Sequence, residues 1–259
     1  MRHPALILAA SSVLALAPVA TARAELQDEI QVYDDGINAP GEFGLELHDN
    51  TTPKGRNTPD YPGELPPQHG LRITPEFSYG LSRDVELGLY LPTVLDPQGR
   101  YDLAGLKLRL KWLPLQPQDG QGAFGGVNVE LSRLAQRYSE SRSTAEARFI
   151  VGWRSPQWLV ALNPTLGFDL SDGLAGQRPG FDLGLKVARQ VGGGVAAGVE
   201  YYAAPGALGR TLPWQQQDQR IYLALDVDRK PWVFNVGIGR GLTTASDRWT
   251  LKAIFEIPI

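Results

Sequence analysis

The sequence predicts an all-β fold: a closed, antiparallel, up-and-down transmembrane β-barrel of about twelve strands. Three observations carry this. Segments of about ten residues alternate apolar and polar side chains, the connections between them alternate short and long, and tryptophans and tyrosines gather at the segment ends. Successive side chains of a strand point to opposite faces, so a period of two means one apolar and one polar face.

The chain opens on MRHPALILAASSVLALAPVATARA, with Arg2, an apolar run and an Ala-x-Ala finish at residue 24. That is the pattern of a cleaved secretory signal, residues 1–24. Without it, 235 residues remain, with 23 basic against 28 acidic side chains. A mild acidic balance is no footprint for nucleic acid. With no cysteine, this exported chain is held by packing and hydrogen bonds alone. Its later apolar runs reach about five residues, as in Trp158–Leu162, against the roughly 20 that a spanning helix needs.

A lead over residues 25–40, placed in the periplasm, precedes the barrel of residues 41–259. In the first segment Phe43, Leu45 and Leu47 oppose Glu42, Glu46 and His48. In the second Leu71, Ile73, Phe77 and Tyr79 oppose Arg72, Thr74, Glu76 and Ser78; in the third Val85, Leu87, Leu89 and Leu91 oppose Asp84, Glu86 and Tyr90. The fourth, LKLRLKWLPL, sets Leu106, Leu108, Leu110 and Trp112 against Lys107, Arg109 and Lys111. The fifth and sixth place Val127, Val129 and Leu131 against Glu130, then Ala147, Phe149, Val151 and Trp153 against Glu146, Arg148 and Arg154.

From Trp158 to Leu170 the even positions are apolar, while Asn163, Thr165 and Asp169 face away. The eighth and ninth segments set Phe181 to Val187 against Asp182 and Lys186, and Val195 to Tyr201 against Glu200. The last three oppose Ile221, Leu223 and Leu225 to Arg220, Asp226 and Asp228; Trp232, Phe234 and Val236 to Asn235; and Trp249, Leu251 and Phe255 to Arg248, Lys252 and Glu256.

The turns GLSRD, RSPQ, QVGGG and DRKP are short, with PLQPQDGQGAFG between the fourth and fifth segments as an exception, whereas residues 51–70 and 203–219 form long polar loops. Short periplasmic turns and long outer loops are the pattern of bacterial outer-membrane barrels. Closure satisfies every backbone polar group in a medium without water. The apolar rows become the lipid face. Tyr79, Trp112, Trp153, Trp158 and Trp232 near the short turns, with Trp249 near the long loops, become interface anchors. A soluble sandwich with an aromatic core is the alternative.

The polar rows then line a lumen. Arg72, Glu86, Lys107, Arg109, Lys111, Glu130, Arg148, Glu200, Arg220 and Asp226 are the candidate wall or selectivity residues. Meander connectivity puts Asp84 and Glu86 opposite the three cations of the fourth segment, with Glu130 on their other flank. Two readings stand: a salt-bridge ladder filling a narrow barrel, or a pore with a positive wall facing the acids of segments nine and ten. Catalysis finds little support. His48 and His69 lack a G-x-S-x-G elbow, two histidines make no metal-ligand spacing, and GIGRG opens no helix. No catalytic residue, metal or cofactor is expected.

The opening stretch EIQVYDDGINAPGEFGLELHDN, residues 29–50, resembles the start of proteobacterial outer-membrane proteins in which an acidic lead and a G-x-F-G-L-E strand open a barrel. The layout is similar to the transporter-like family named for the meta-pathway of phenol degradation. That resemblance implies a passive channel or transporter for small polar or aromatic solutes in the Gram-negative outer membrane. Its partners would be membrane lipid, the barrel assembly machinery and the solute. The alternatives are a non-conducting structural or adhesive barrel binding through its loops, and an outer-membrane hydrolase using His48 or His69. The chain ends FEIPI, where outer-membrane barrels commonly end in an aromatic residue.

Overall fold

The computed structural model describes residues 27–171 and 173–258. The signal segment 1–24 and the final residue lie outside them. Twelve long strands form a closed antiparallel barrel. They are β1 (Phe43–Lys54), β2 (Leu71–Ser82), β3 (Val85–Tyr90), β4 (Gly105–Leu115), β5 (Gly122–Leu134) and β6 (Ser143–Arg154), followed by β7 (Trp158–Asp169), β8 (Gly180–Gly192), β9 (Val195–Ala207), β10 (Asp218–Arg229), β11 (Trp232–Gly241) and β12 (Trp249–Glu256). Each pairs with its sequence neighbour, and β1 closes on β12 with Leu47 opposite Phe255. Closure pairs each of the twelve strands on both sides.

Alternation sets the two faces. In β4, Lys107, Arg109 and Lys111 are 4–6% exposed, while Leu106, Leu108, Leu110 and Trp112 are 44–52% exposed. With its outer face unburied by protein, the barrel presents a continuous apolar band, the surface that lipid covers. Tyr79, Trp112, Trp153, Trp158, Trp232 and Trp249 all belong to the outward rows. Charge enters those rows near their ends. Arg189 lies over the Trp158 ring at 5.5 Å and Arg240 over Trp249 at 4.8 Å. Asp49, between lumen-facing His48 and Asn50, extends the outward row of β1 beyond Leu47.

Beyond Tyr90 the chain bends through Leu91-Pro92. Thr93–Leu95 then pairs with both β2 and Tyr101–Leu103, so the third strand stops one residue short of the apolar row expected to reach Leu91. Proline has no N–H to donate and forces the break. Asp84 also falls outside the strand: it sits in the turn beside Arg83 at 3.3 Å and takes a bond from Gln116, not from the cations of β4.

At the long-loop end, the β1–β2 loop reaches from one side of the mouth to another. Arg56 N–H donates to Asp247 at 2.9 Å, and Leu65 N–H donates to the Arg137 carbonyl at 2.8 Å. Leu65 packs on Val94, Ala104, Leu134 and Tyr138. Burial, with the bond to Asp102, pushes the Tyr138 phenol up to about 12.

Candidate functional site

The lumen is crossed lengthwise by residues 27–38, the strap, before the chain turns at Gly41 into β1. Gln27 accepts a bond from Arg220 at the long-loop end of β10, and Asp35 meets Arg154 at 2.6 Å at the short-turn end of β6. The segment expected as a periplasmic lead therefore lies inside the barrel.

An unpaired stretch of chain in this position needs partners for its backbone, and the wall supplies them. Asn163 of β7 accepts from Tyr33 N–H at 2.6 Å and donates to the Tyr33 carbonyl at 3.0 Å. Lys252 donates to the Ile30 carbonyl at 2.9 Å, Lys111 to the Gly36 carbonyl, and Glu86 accepts from Asn38 N–H at 2.7 Å.

Side chains complete the hold. Lys107 lies 2.8 Å from Asp28 and 3.4 Å from Glu130. Arg148 is shared between Glu146 at 2.9 Å and Glu29 at 3.6 Å. The Tyr33 hydroxyl bonds Tyr90 at 2.7 Å and receives Arg109 at 3.2 Å. Arg109, Lys111 and Arg148 lie 5.5, 5.1 and 4.9 Å from the centre of its ring, which attracts cations over its face.

The other candidates pair within the wall. Arg109 bonds Glu86 at 2.5 Å and Glu76 at 2.7 Å. Glu200 takes Lys252 at 2.5 Å, with Lys186 at 3.8 Å, and Lys186 in turn meets Asp226 at 2.7 Å. Arg220 meets Asp218 at 2.6 Å, and Arg72 reaches Asn50 at 3.3 Å. Buried pairs of this kind hold only when each charge keeps its partners. The cations of β2 to β4 and the acids of β9 and β10 are thus largely met by neighbours, which weakens the field expected across the lumen.

An apolar inner patch interrupts the polar rows, where the alternation gives no sign of it. Leu113, Phe124, Ile150, Leu159 and Ala161 face inward near the short-turn end, with Val32 and Tyr33 of the strap packed on them. Gly152 makes room for it: a Cβ there would stand 2.1 Å from the Phe124 ring. Between strap and wall, at that same end, a cavity of about 790 Å³ is bordered by Glu46, Glu76, Lys111, Lys186, Asp226 and Phe234, among others.

His48 faces the lumen with Nε2 3.0 Å from Glu76, and His69 sits in the loop with φ 63°. Among the described residues, neither side chain is hydrogen-bonded to a hydroxyl that could serve as a nucleophile.

No family model and no curated protein sequence matches the chain. Solved structures do match in fold. An outer-membrane channel from Pseudomonas putida F1 superposes with a TM-score of 0.56 at 13% identity, over 88% of this chain and 100% of that one. The NanC porin gives 0.54 at 7% identity, over 83% and 100%. The KdgM porin gives 0.52 at 10% identity, over 83% and 99%. The fold is that of outer-membrane β-barrels.

Proposed function

We propose that the protein is a narrow passive channel of the Gram-negative outer membrane, a transporter-like barrel for small polar or aromatic solutes, whose lumen is restricted by its own N-terminal strap. The observation that carries this is the space left in the lumen at the short-turn end: charged and polar side chains border about 790 Å³ beside residues 31–38. A barrel that served only as a scaffold gains nothing from a charged cavity of that size. The family named for the meta-pathway of phenol degradation is the proposed relative, and the fold shared with channels and porins supports the same reading.

Paired charges interleaved with Tyr33 and the apolar inner patch suit solutes that carry both a polar group and a ring. The selectivity residues proposed are Lys111, Lys186, Glu200 and Asp226, with Arg109 held in reserve by Glu76 and Glu86. The test is single-channel recording in planar bilayers. The full mature chain is expected to conduct weakly, and Glu200→Gln, which takes from Lys252 its carboxylate partner, to shift the reversal potential in a salt gradient toward anions. A folded barrel that never conducts would contradict the proposal and favour a non-conducting barrel.

A further inference from the structure

One level of the wall carries a row of acid. Glu256 of β12, Glu46 of β1 and Glu76 of β2 are direct cross-strand partners on the inner face. Like charges placed directly opposite one another repel. His48, two residues along from Glu46, points Nε2 into this row, 3.0 Å from Glu76 Oε2 and 3.5 Å from Glu46 Oε2. One donor atom from each of Glu46, His48 and Glu76 lies within 4.8 Å of the other two.

The imidazole is 1% exposed, and its Nδ1 has no hydrogen-bond partner among the described residues, so the ring's polar engagement is with this cluster. The cations around it do not balance the acid. Arg109 serves Glu76 and Glu86, and Lys230 lies 3.4 Å from Glu256. With His48 neutral, Glu46, Glu76, Glu86 and Glu256 stand against Arg109, Lys230 and Lys111, the cross-strand partner of Glu86, and one negative charge is left over.

We infer that Glu46, His48 and Glu76 form a binding site for one divalent metal ion. One neutral imidazole with two carboxylates suits Zn²⁺, a borderline cation that imidazole favours, and Mn²⁺, a harder one that carboxylates favour. Bonds of roughly 2.0 to 2.2 Å need the donor atoms only slightly rearranged from their present spacing. Arg109 lies 2.7 Å from Glu76 Oε1, the oxygen opposite the one beside His48, and so orients the carboxylate from behind. Glu46 and Glu76 border the cavity, which leaves further coordination positions open to water or to a solute. The site stands whether or not the barrel conducts.

The test uses the full mature chain, folded in detergent without a histidine tag and stripped with a chelator. Zn²⁺ is titrated by calorimetry and Mn²⁺ by electron paramagnetic resonance. One equivalent is expected to bind. Glu46→Gln and His48→Gln should each weaken binding roughly tenfold to a hundredfold or more, while Asp102→Asn in the loop hairpin leaves it unchanged. Should His48→Gln fail to fold, Glu46→Gln, on a side chain 31% exposed to the cavity, carries the test. Absence of saturable binding overturns the site, and so does binding that both substitutions leave intact.

Discussion

The side-chain amide of Asn163 meets both backbone groups of Tyr33, accepting at 2.6 Å and donating at 3.0 Å across 130 residues of sequence. One wall residue thus does for the strap what a neighbouring strand would do. Asn163→Leu would leave a buried N–H and a buried carbonyl unpaired, each at a cost of about 1 to 3 kcal/mol. The expected outcome is a folded barrel with a loosened strap. Hydrogen exchange at the Tyr33 amide, followed by mass spectrometry, should accelerate strongly while exchange in β6 and β8 stays slow.

Asp28 and Lys107 form the strap's most buried ion pair, with side chains 2% and 7% exposed. Breaking a buried pair by removing one partner costs about 3 to 5 kcal/mol, whereas replacing both with apolar groups can be close to neutral. Glu130 at 3.4 Å offers Lys107 a second carboxylate and lowers that cost. Lys107→Met should destabilise more than Asp28→Asn, because it strands Asp28 inside the lumen. The double variant should recover part of the loss. Urea unfolding of the barrel in lipid vesicles measures all three.

Leu108 points to the lipid face between Arg109 and Lys107, which point into the lumen. Placing a charge there by Leu108→Arg should cost roughly 2 to 4 kcal/mol if the row lies near the bilayer midplane. The same unfolding measurement reads it. An unchanged stability would mean that this face does not meet lipid.

Much of the barrel was legible before any coordinates. The period of two from Leu106 to Trp112 gave the two faces of β4, and the turns at Arg154–Gln157 and Asp228–Pro231 gave the antiparallel order. Local alternation dictates these features, and meander connectivity makes sequence neighbours into wall neighbours, as Glu86 beside Arg109 shows. The strap was not legible in the same way. Ile30, Val32 and the charges Asp28, Asp34 and Asp35 were visible as residues, but the lysines and the arginine that hold Asp28, Ile30, Asp34 and Asp35 lie between 79 and 222 positions away. The apolar inner patch escaped for a related reason: Leu113, Phe124 and Ile150 interrupt polar rows, and only a segment inside the lumen gives such residues something to cover. The grouping of Glu46, His48 and Glu76 follows from the register of β1 with β2, which pairs Glu46 with Glu76. His48 and the Glu76 row had both been assigned to the inner face, but no metal-ligand spacing within one segment reveals a site divided between two strands.

On the proposed function, residues 27–38 restrict a lumen that is otherwise passable. Single-channel conductance of the full mature chain, compared with that of a chain lacking residues 27–36 and verified as a folded barrel, tests it most directly. A conductance several-fold larger is expected without the strap. Equal conductance in the two proteins, or none in either, would contradict it.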